Sequence, residues 1–273
     1  SVPVVASTVP VTTPAEKAFT NKPLSQVEVE LQSEGGGPNR STITLLSPNG
    51  TAVPGQQIRE DSRLIYRLSR ELASDGSDDG TYTISVTPVN SAGRQGTPQQ
   101  FTFAYDTVPP EVDTTTIQLI VVNPGVNNSL NEIHAIITDK SPSSQIDWEH
   151  IDDTWLTLEK VSTDRKISGR LSSDKQQTLT FRLTTPLASD GSQDGDYRVT
   201  LAPKDRAGNV VEGIKYEFFY DTKPPVIDTA SLFLDDQPLL VDTNDPDYPS
   251  AAGSGSGVVI KAKLTDVSLD GSG

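Results

Sequence analysis

An internal repeat constrains this chain more than any other feature of its sequence. Residues 64–110 align with residues 179–225 without a gap, and 21 of the 47 paired positions are identical. Both copies end in Tyr-Asp-Thr-x-Pro-Pro, and each Pro-Pro pair opens a new unit. A chain with such self-similarity is built from repeated structural units. We therefore divide it into residues 1–106, 107–221 and 222–273.

The apolar residues within a unit recur at every second position, which is the period of a strand with one buried face. Residues 82–86 and 197–201 show this alternation most clearly. The other stretches that show it are residues 27–31, 64–68, 101–105, 133–137, 179–183 and 216–220. Shorter pieces at 117–122, at 155–158 and around Ile167 complete about seven strands in roughly 110 residues, the size of an immunoglobulin-like sandwich. The pattern predicts an all-β chain of tandem immunoglobulin-like β-sandwiches, arranged as an elongated rod.

A repeated Asp-Gly-x-Tyr segment supports this fold. In immunoglobulin-like sandwiches, a tyrosine near the start of the sixth strand commonly donates its hydroxyl to the preceding loop. Tyr82 and Tyr197 stand at the corresponding positions of the two copies. We therefore expect their hydroxyls to be bonded in this way.

Composition excludes several function classes. The formal net charge is −15, which disfavours a nucleic-acid partner because such a protein must neutralise phosphates. The chain has no cysteine and only two histidines, so thiolate chemistry is excluded and a histidine-rich metal site is difficult to build. It contains no apolar run long enough to span a bilayer. We expect no enzyme, no nucleic-acid partner and no membrane span in this segment.

These motifs resemble the bacterial Ig-like repeats of large surface proteins and adhesins. That family often carries Asp-Gly-x-Tyr, then Asp-x-Ala-Gly-Asn, then Tyr-Asp-Thr-x-Pro-Pro. The second copy has all three, including Asp205-Arg-Ala-Gly-Asn209, whereas the first copy departs from the family with Asn90-Ser-Ala-Gly-Arg94. The resemblance covers residues 1–221. It implies a spacer or adhesin stalk in an extracellular or bacterial cell-surface protein. The alternatives are a carbohydrate-binding or accessory module of a larger secreted enzyme, and a fibre subunit completed by strand exchange.

The third unit begins like the second but contains only the first two strands, at residues 231–235 and 260–264, before Gly273. Two strands cannot bury their apolar face alone. We expect the partner of this unit to be either further repeats of the same polypeptide or another chain that completes it.

Acidic residues are the main candidates for a site, because the loops that carry them are expected to meet between successive units. Calcium takes six to eight oxygen ligands, so a crowded acidic junction suits it. The alternative is that these aspartates cap turns and keep the surface soluble. The candidates at the first junction are Asp75, Asp78, Asp79, Asp106, Asp139 and Asp205, and those at the second junction are Asp190, Asp194, Asp221 and Asp266.

The segment from Asp147 to Trp155 is the densest mixture of carboxylate, imidazole and indole groups. We consider Trp148, Glu149 and His150 as contacts for a ligand, such as a cell-surface glycan or protein. As enzyme chemistry, Glu149 with Asp152 or Asp153 offers an acid/base pair of the glycosidase kind. The structural alternative places Trp155 in the core of the sandwich.

Overall fold

Two β-sandwiches follow one another in the chain. The computed structural model describes residues 3–10, 18–32, 40–121, 129–141, 144–224, 226–234, 237–238 and 260–265, the last three ranges as backbone only. No α-helix occurs among these residues, and none of them forms a helix that could cross a membrane.

Among its described residues, the first unit has eight strands in two sheets. Their bounds are β1 Val4–Val9, β2 Ala18–Thr20, β3 Gln26–Gln32, β4 Thr42–Leu46, β5 Gly55–Glu60, β6 Arg63–Leu68, β7 Gly80–Thr87 and β8 Gln99–Tyr105. One sheet has the order β1-β3-β6-β5 and the other β2-β8-β7-β4. Apart from β2, this is the ABED and CFG arrangement of constant-type immunoglobulin domains. Strand β2 pairs in parallel with β8. It has only three residues, too few for an alternation of apolar and polar residues to be visible in the sequence.

The second unit repeats this arrangement, with nine strands in the part that the structure describes. Their bounds are β9 Glu111–Val112, β10 Gln118–Val121, β11 Leu130–Thr138, β12 Leu156–Lys160, β13 Arg165–Ile167, β14 Gly169–Ser173, β15 Thr178–Leu187, β16 Gly195–Leu201 and β17 Ile214–Tyr220. The sheet orders are β10-β11-β15-β14, with β9 also pairing β11, and β13-β12-β16-β17. Short 3₁₀ turns lie at Thr114–Thr116 and Val161–Thr163. The chain changes sheets at Ser168, where the sequence pattern predicts only a single strand piece around Ile167.

The predicted alternation is confirmed by burial. In the first unit, Val29, Ile84 and Phe103 are fully buried and belong to one core that combines both sheets. In the second unit, Ala135 and Val199 hold corresponding places. Trp155 is also fully buried, so its structural interpretation is confirmed. Each unit therefore has a core of its own.

The third unit is described by three strands, β18 Val226–Leu234, β19 Gln237–Pro238 and β20 Ile260–Thr265. Strand β18 pairs antiparallel with both of the others. The two predicted strands, at residues 231–235 and 260–264, overlap β18 and β20.

The tyrosine corner is present in both complete units. The Tyr82 hydroxyl donates to the Asp78 carbonyl oxygen at 2.7 Å, and the Tyr197 hydroxyl donates to the Gln193 carbonyl oxygen at 2.7 Å. Tyr82 stacks on Phe103 with ring centroids 5.5 Å apart, as Tyr197 does on Phe218 at 5.7 Å. Burial raises the pKa of each tyrosine to about 12. The two copies therefore share the same local structure as well as the same sequence.

We predict that Tyr82→Phe and Tyr197→Phe each destabilise their own unit by about 1 kcal/mol, the usual net contribution of one hydrogen bond. Urea unfolding of the full chain measures the effect. Tyr216→Phe is the matched control, because no hydrogen bond from its hydroxyl is found among the described residues, and it should change stability by less than about 0.5 kcal/mol. Equal losses in all three variants would contradict the corner's role.

Candidate metal centre

Three aspartates from two successive units meet at the first junction. Asp106 follows β8 of the first unit, Asp139 follows β11 of the second, and Asp205 lies in the loop between β16 and β17. One carboxylate oxygen from each lies within 4.8 Å of the others. We call these three residues the aspartate cluster.

Asp106 is held in place from both units. Its backbone N–H donates to the Thr20 carbonyl oxygen at 3.0 Å, which continues the pairing of β2 with β8. One carboxylate oxygen accepts from the Val108 N–H at 3.1 Å, and the other accepts from the Ser144 hydroxyl of the second unit. The residue is completely buried. Its carboxylate is therefore fixed at the boundary between the units.

Asp205 is positioned by the loop that it begins. Gly208 has φ +93°, which a residue with a side chain rarely adopts, and this turns the chain back on itself. The Asp205 Oδ1 accepts from the Asn209 N–H at 2.9 Å, and its Oδ2 accepts from the Asn209 Nδ2 at 2.7 Å. Only 1% of the residue is exposed. The Ala-Gly-Asn motif therefore holds this carboxylate rigidly.

Asp139 is the incompletely satisfied member of the cluster. Its Oδ1 accepts from the Ser141 N–H at 2.8 Å, whereas its Oδ2 is buried with no hydrogen-bond partner among the described residues. Burial raises its pKa to about 6, and the charges of Asp106 and Asp205 add to the shift. Burial likewise raises the pKa of Asp205 against the hydrogen bonds from Asn209. Both shifts show that negative charge is costly here.

Among the residues that the structure describes, no lysine or arginine forms an ion pair with the aspartate cluster. Buried carboxylates normally require a positive partner, a proton or a metal ion. Carboxylate and carbonyl oxygens are the ligands that calcium prefers. The unpartnered Asp139 Oδ2 and the donor set therefore fit a divalent cation.

Asn209 also joins the two units directly. Its Nδ2 donates to the Asp106 carbonyl oxygen at 2.8 Å, and its Oδ1 accepts from the Asn21 Nδ2 at 3.1 Å. Beside it, the Arg206 guanidinium lies 4.5 Å from the centre of the Phe19 ring, a cation–π distance. The loop between β16 and β17 therefore contacts both β2 and the end of β8.

The other acids proposed for the first junction serve local structure. Asp75 accepts from the Ser77 N–H at 3.0 Å, and Asp78 forms an ion pair with Arg70 at 2.5 Å. Asp79 accepts from the Thr107 N–H at 2.9 Å. Burial raises the pKa of Asp79, and Asp106 contributes to that shift. Asp79 therefore borders the cluster without belonging to it.

Among the residues that the structure describes, the acids predicted at the second junction form no cluster like that of the first. Asp190 caps Ser192, and Asp221 is exposed and accepts from the Lys223 N–H. Asp194 is buried, with its Oδ1 accepting from the Thr222 hydroxyl at 2.8 Å and its Oδ2 unpartnered among the described residues. Asp266 lies outside the described residues.

The Trp148 segment has a mixed placement. Trp148 is half-buried, with its ring centroid 5.8 Å from that of Trp155, while Glu149 and His150 are exposed. His150 bonds to Asp147 at 2.9 Å. Asp152 caps Thr154, whose hydroxyl and N–H lower the pKa of that carboxyl. A general acid would need a raised pKa, so Asp152 is equipped for capping a turn.

Sequence reasoning gave no role to Asn209, Asn21 or Ser144. Asn209 had a visible signal, because the motif is intact in the second copy and ends in Arg94 in the first. No sequence signal pointed to Ser144 or Asn21, because each of them bonds to a residue of the other unit. The contacts of these residues arise only from how the units are placed against each other.

We predict that Asn209→Ala loosens the junction, because it removes both side-chain bonds to the first unit. The chain contains no cysteine, so spin labels at Gln56→Cys and Arg170→Cys report the distance between units without background. The distance distribution should broaden in the variant. Arg94→Ala, the equivalent change in the first copy, should leave it unchanged. Identical distributions in all three proteins would contradict this role.

A pH dependence follows from Asp139. Its folded pKa of about 6 lies above the value of 3.8 for an unperturbed aspartate. Between these two pKa values the folded state retains a proton that the unfolded chain releases. Without metal, the contribution of Asp139 to folding stability is therefore present at low pH and is lost as the pH rises through about 6. In the presence of a chelator, the melting temperature of Asp139→Asn relative to that of wild type should increase as the pH is raised from about 4.5 to about 7.5. A difference in melting temperature, measured by calorimetry, that stays constant over this pH range would contradict the raised pKa of Asp139.

A scan against protein-family models finds no match, and a search of curated proteins finds no related sequence. Among solved structures, the chain is similar to the fibronectin(III)-like modules of Clostridium thermocellum CbhA, with 12% identity, a TM-score of 0.34, and coverage of 80% of this chain and 94% of that one. It is also similar to a titin fragment, with 11% identity, a TM-score of 0.28, and coverage of 81% and 98%. The chicken CNTN1 FN1–FN3 domains show 11% identity and a TM-score of 0.28, with coverage of 80% and 66%. The assignment to immunoglobulin-like sandwiches rests on the strand order of the chain itself.

Proposed function

We propose that this chain is a spacer or stalk segment of an extracellular, cell-surface protein, and that a divalent cation, calcium, stiffens its first junction. The observation that carries the proposal is the aspartate cluster, which draws Asp106 from one unit and Asp139 and Asp205 from the next. A site shared in this way couples cation binding to the angle between units. The role of such a segment is mechanical, because it holds whatever it carries at a fixed distance from its anchor.

The electrostatics of the cluster support the metal. Three carboxylates within 4.8 Å repel one another, and burial removes the water that would screen them. A divalent cation changes this repulsion into attraction and takes up the unpartnered Asp139 oxygen. Calcium at millimolar concentration outside cells suits extracellular modules, whose affinities fall at about 10⁻⁴ to 10⁻³ M.

The direct contacts support a defined geometry at the junction. The hydrogen bonds of Asn209 and the stacking of Arg206 on Phe19 already restrict the angle between the units. The cation adds to these contacts and does not replace them. We therefore expect the junction to be partly ordered without calcium and fully ordered with it.

Asp205→Asn is the variant that tests the cation most sharply. Asparagine occupies the equivalent position, Asn90, in the first copy, so the loop accommodates it. Calcium at about 100 times its Kd should stabilise the wild-type chain by about 2.7 kcal/mol, and the melting temperature should rise by several degrees. Asp205→Asn should lose this response. Asp75→Asn, which changes an exposed turn cap, should keep it.

The spin-label distances described above separate the two parts of the proposal. Calcium should narrow the distribution in wild type and in Asp75→Asn, but not in Asp205→Asn. If the distance distribution is narrow in every condition and the melting temperature does not respond to calcium, the proposed cation site is wrong and the proposal of a rigid spacer is supported. If the distance distribution remains broad with calcium, the proposal of a rigid spacer is wrong.

A further inference from the structure

The second unit has an open groove that the stalk role does not use. It has a volume of about 430 Å³ and lies between the end of β11, the segment Gln145–Trp148 and the turn that joins β14 to β15. This volume falls within the range of roughly 300 to 1,000 Å³ that is common for small-molecule sites. Asp139 lies at one end of the groove.

The lining of the groove combines an apolar wall with neutral hydrogen-bonding groups. Ile146 and Trp148 form the apolar part, and the exposed residues Gln145, Gln176 and Gln177 also line the groove. None of their three side-chain amides has a hydrogen-bond partner among the described residues. Each offers two N–H donors and one accepting oxygen. Such a surface matches a ligand whose groups both donate and accept.

The charge of the chain disfavours anionic ligands. Its formal net charge of −15 acts against phosphates, sulfates and nucleic acids. A purely apolar ligand would leave the three amides unpaired, which is costly. Among the described lining residues, Lys175 is the cationic one, and it lies in the turn between β14 and β15. A neutral polyhydroxylated ring satisfies both the amides and the apolar wall.

The backbone around the groove is fixed before any ligand arrives. Gln145 has φ +73° and Lys175 has φ +58°, which are left-handed conformations uncommon for such residues. The Gln145 carbonyl oxygen accepts from the Arg206 N–H at 2.9 Å. Asp174 accepts from three backbone N–H groups of its turn, and these bonds lower its pKa to about 2. Pre-organisation of this kind reduces the entropy cost of binding.

The first unit provides an internal comparison. It folds into the same sandwich with no tryptophan, and its turn between β5 and β6 has two residues, Asp61 and Ser62. The equivalent turn of the second unit is longer and carries Lys175, Gln176 and Gln177. The turn residues of the groove are therefore additions that the sandwich of the first unit forms without.

We propose that this groove is a carbohydrate-binding site for one or two neutral sugar rings. The second unit then makes an adhesive contact of its own, in addition to its role as a spacer. The groove shares Asp139 with the aspartate cluster, but the glutamine amides and the tryptophan that would contact the sugar lie outside that cluster. It also changes the set of ligand contacts considered from the sequence. The turn residues 175–177 line the groove together with Trp148, whereas Glu149 and His150 do not.

The test begins with the full chain on an array of neutral and acidic oligosaccharides. Neutral glycans should bind above background and acidic ones should not. The strongest neutral oligosaccharide is then titrated into ¹⁵N-labelled protein. Amide shifts should cluster at residues 145–148 and 174–178. Background signal on every neutral glycan, binding restricted to sialylated or sulfated glycans, or shifts located elsewhere would overturn the proposal.

Paired variants test the residues themselves. Gln176→Ala combined with Gln177→Ala should weaken binding at least tenfold while leaving the melting temperature unchanged. The control is Gln99→Ala with Gln100→Ala, an adjacent glutamine pair on β8 of the first unit, which should bind as wild type does. Trp148→Ala is less suitable, because Trp148 packs on the core residue Trp155. Equal affinity in both double variants would reject the site.

Discussion

The packing of two sheets face to face is the constraint on which the rest of this protein depends. Inward side chains such as Val29, Ile84 and Phe103 have no exposed surface, so their positions tolerate little change in volume. The loops at the ends of the strands are not bound by that requirement. They carry the aspartates, the Asn209 contacts and the amides of the groove. The candidate functional residues of this chain therefore lie at strand ends, and the sheets hold those ends in place.

The junction illustrates how a costly arrangement is made stable. Burying Asp106 and Asp205 almost completely, with Asp139 beside them, disfavours ionisation of the cluster. Two hydrogen bonds partly stabilise these carboxylates: Ser144 donates across the units to Asp106, and Asn209 donates within its own unit to Asp205. The Asp139 Oδ2 has no hydrogen-bond partner in the part of the chain that the structure describes. A proton satisfies this oxygen at low pH, and a divalent cation can do so at neutral pH without loss of charge on the ligands.

The fold could be predicted from the sequence because alternation and repetition are local signals. Stretches such as residues 82–86 show their buried face directly, and the second copy repeats it. Strand β2 escaped prediction because three residues show no period, and its parallel pairing with β8 depends on tertiary context. The change of sheets at Ser168 escaped for a similar reason, since nothing in the residue pattern distinguishes a strand that ends from one that changes partners.

The site was predictable only in part. Asp106, Asp139 and Asp205 were expected at one junction, whereas Asp75 and Asp78 serve their own loop. The Asp-x-Ser spacing at Asp75 is a local capping signal that explains its placement. The groove could not be foreseen, because Gln145 and Gln176 are far apart in the sequence and come together only through the end of β11. Side chains that meet across loops leave no periodic trace.

The junction between the first two units is asymmetric, and this has a consequence for growth of the chain. The exit end of one unit supplies Asp106 and Asn21, and the entry end of the next supplies Asp139, Asp205 and Asn209. Head-to-tail contacts of this type have no twofold axis and do not close on themselves. Gain or loss of one unit by gene duplication or deletion would then lengthen or shorten the protein by one unit. The new joint would keep the aspartate cluster only where the entering unit carries the Asp205 and Asn209 type of loop, so a duplicated second unit could follow the first one while a duplicated first unit, with Asn90 and Arg94, would form a different joint.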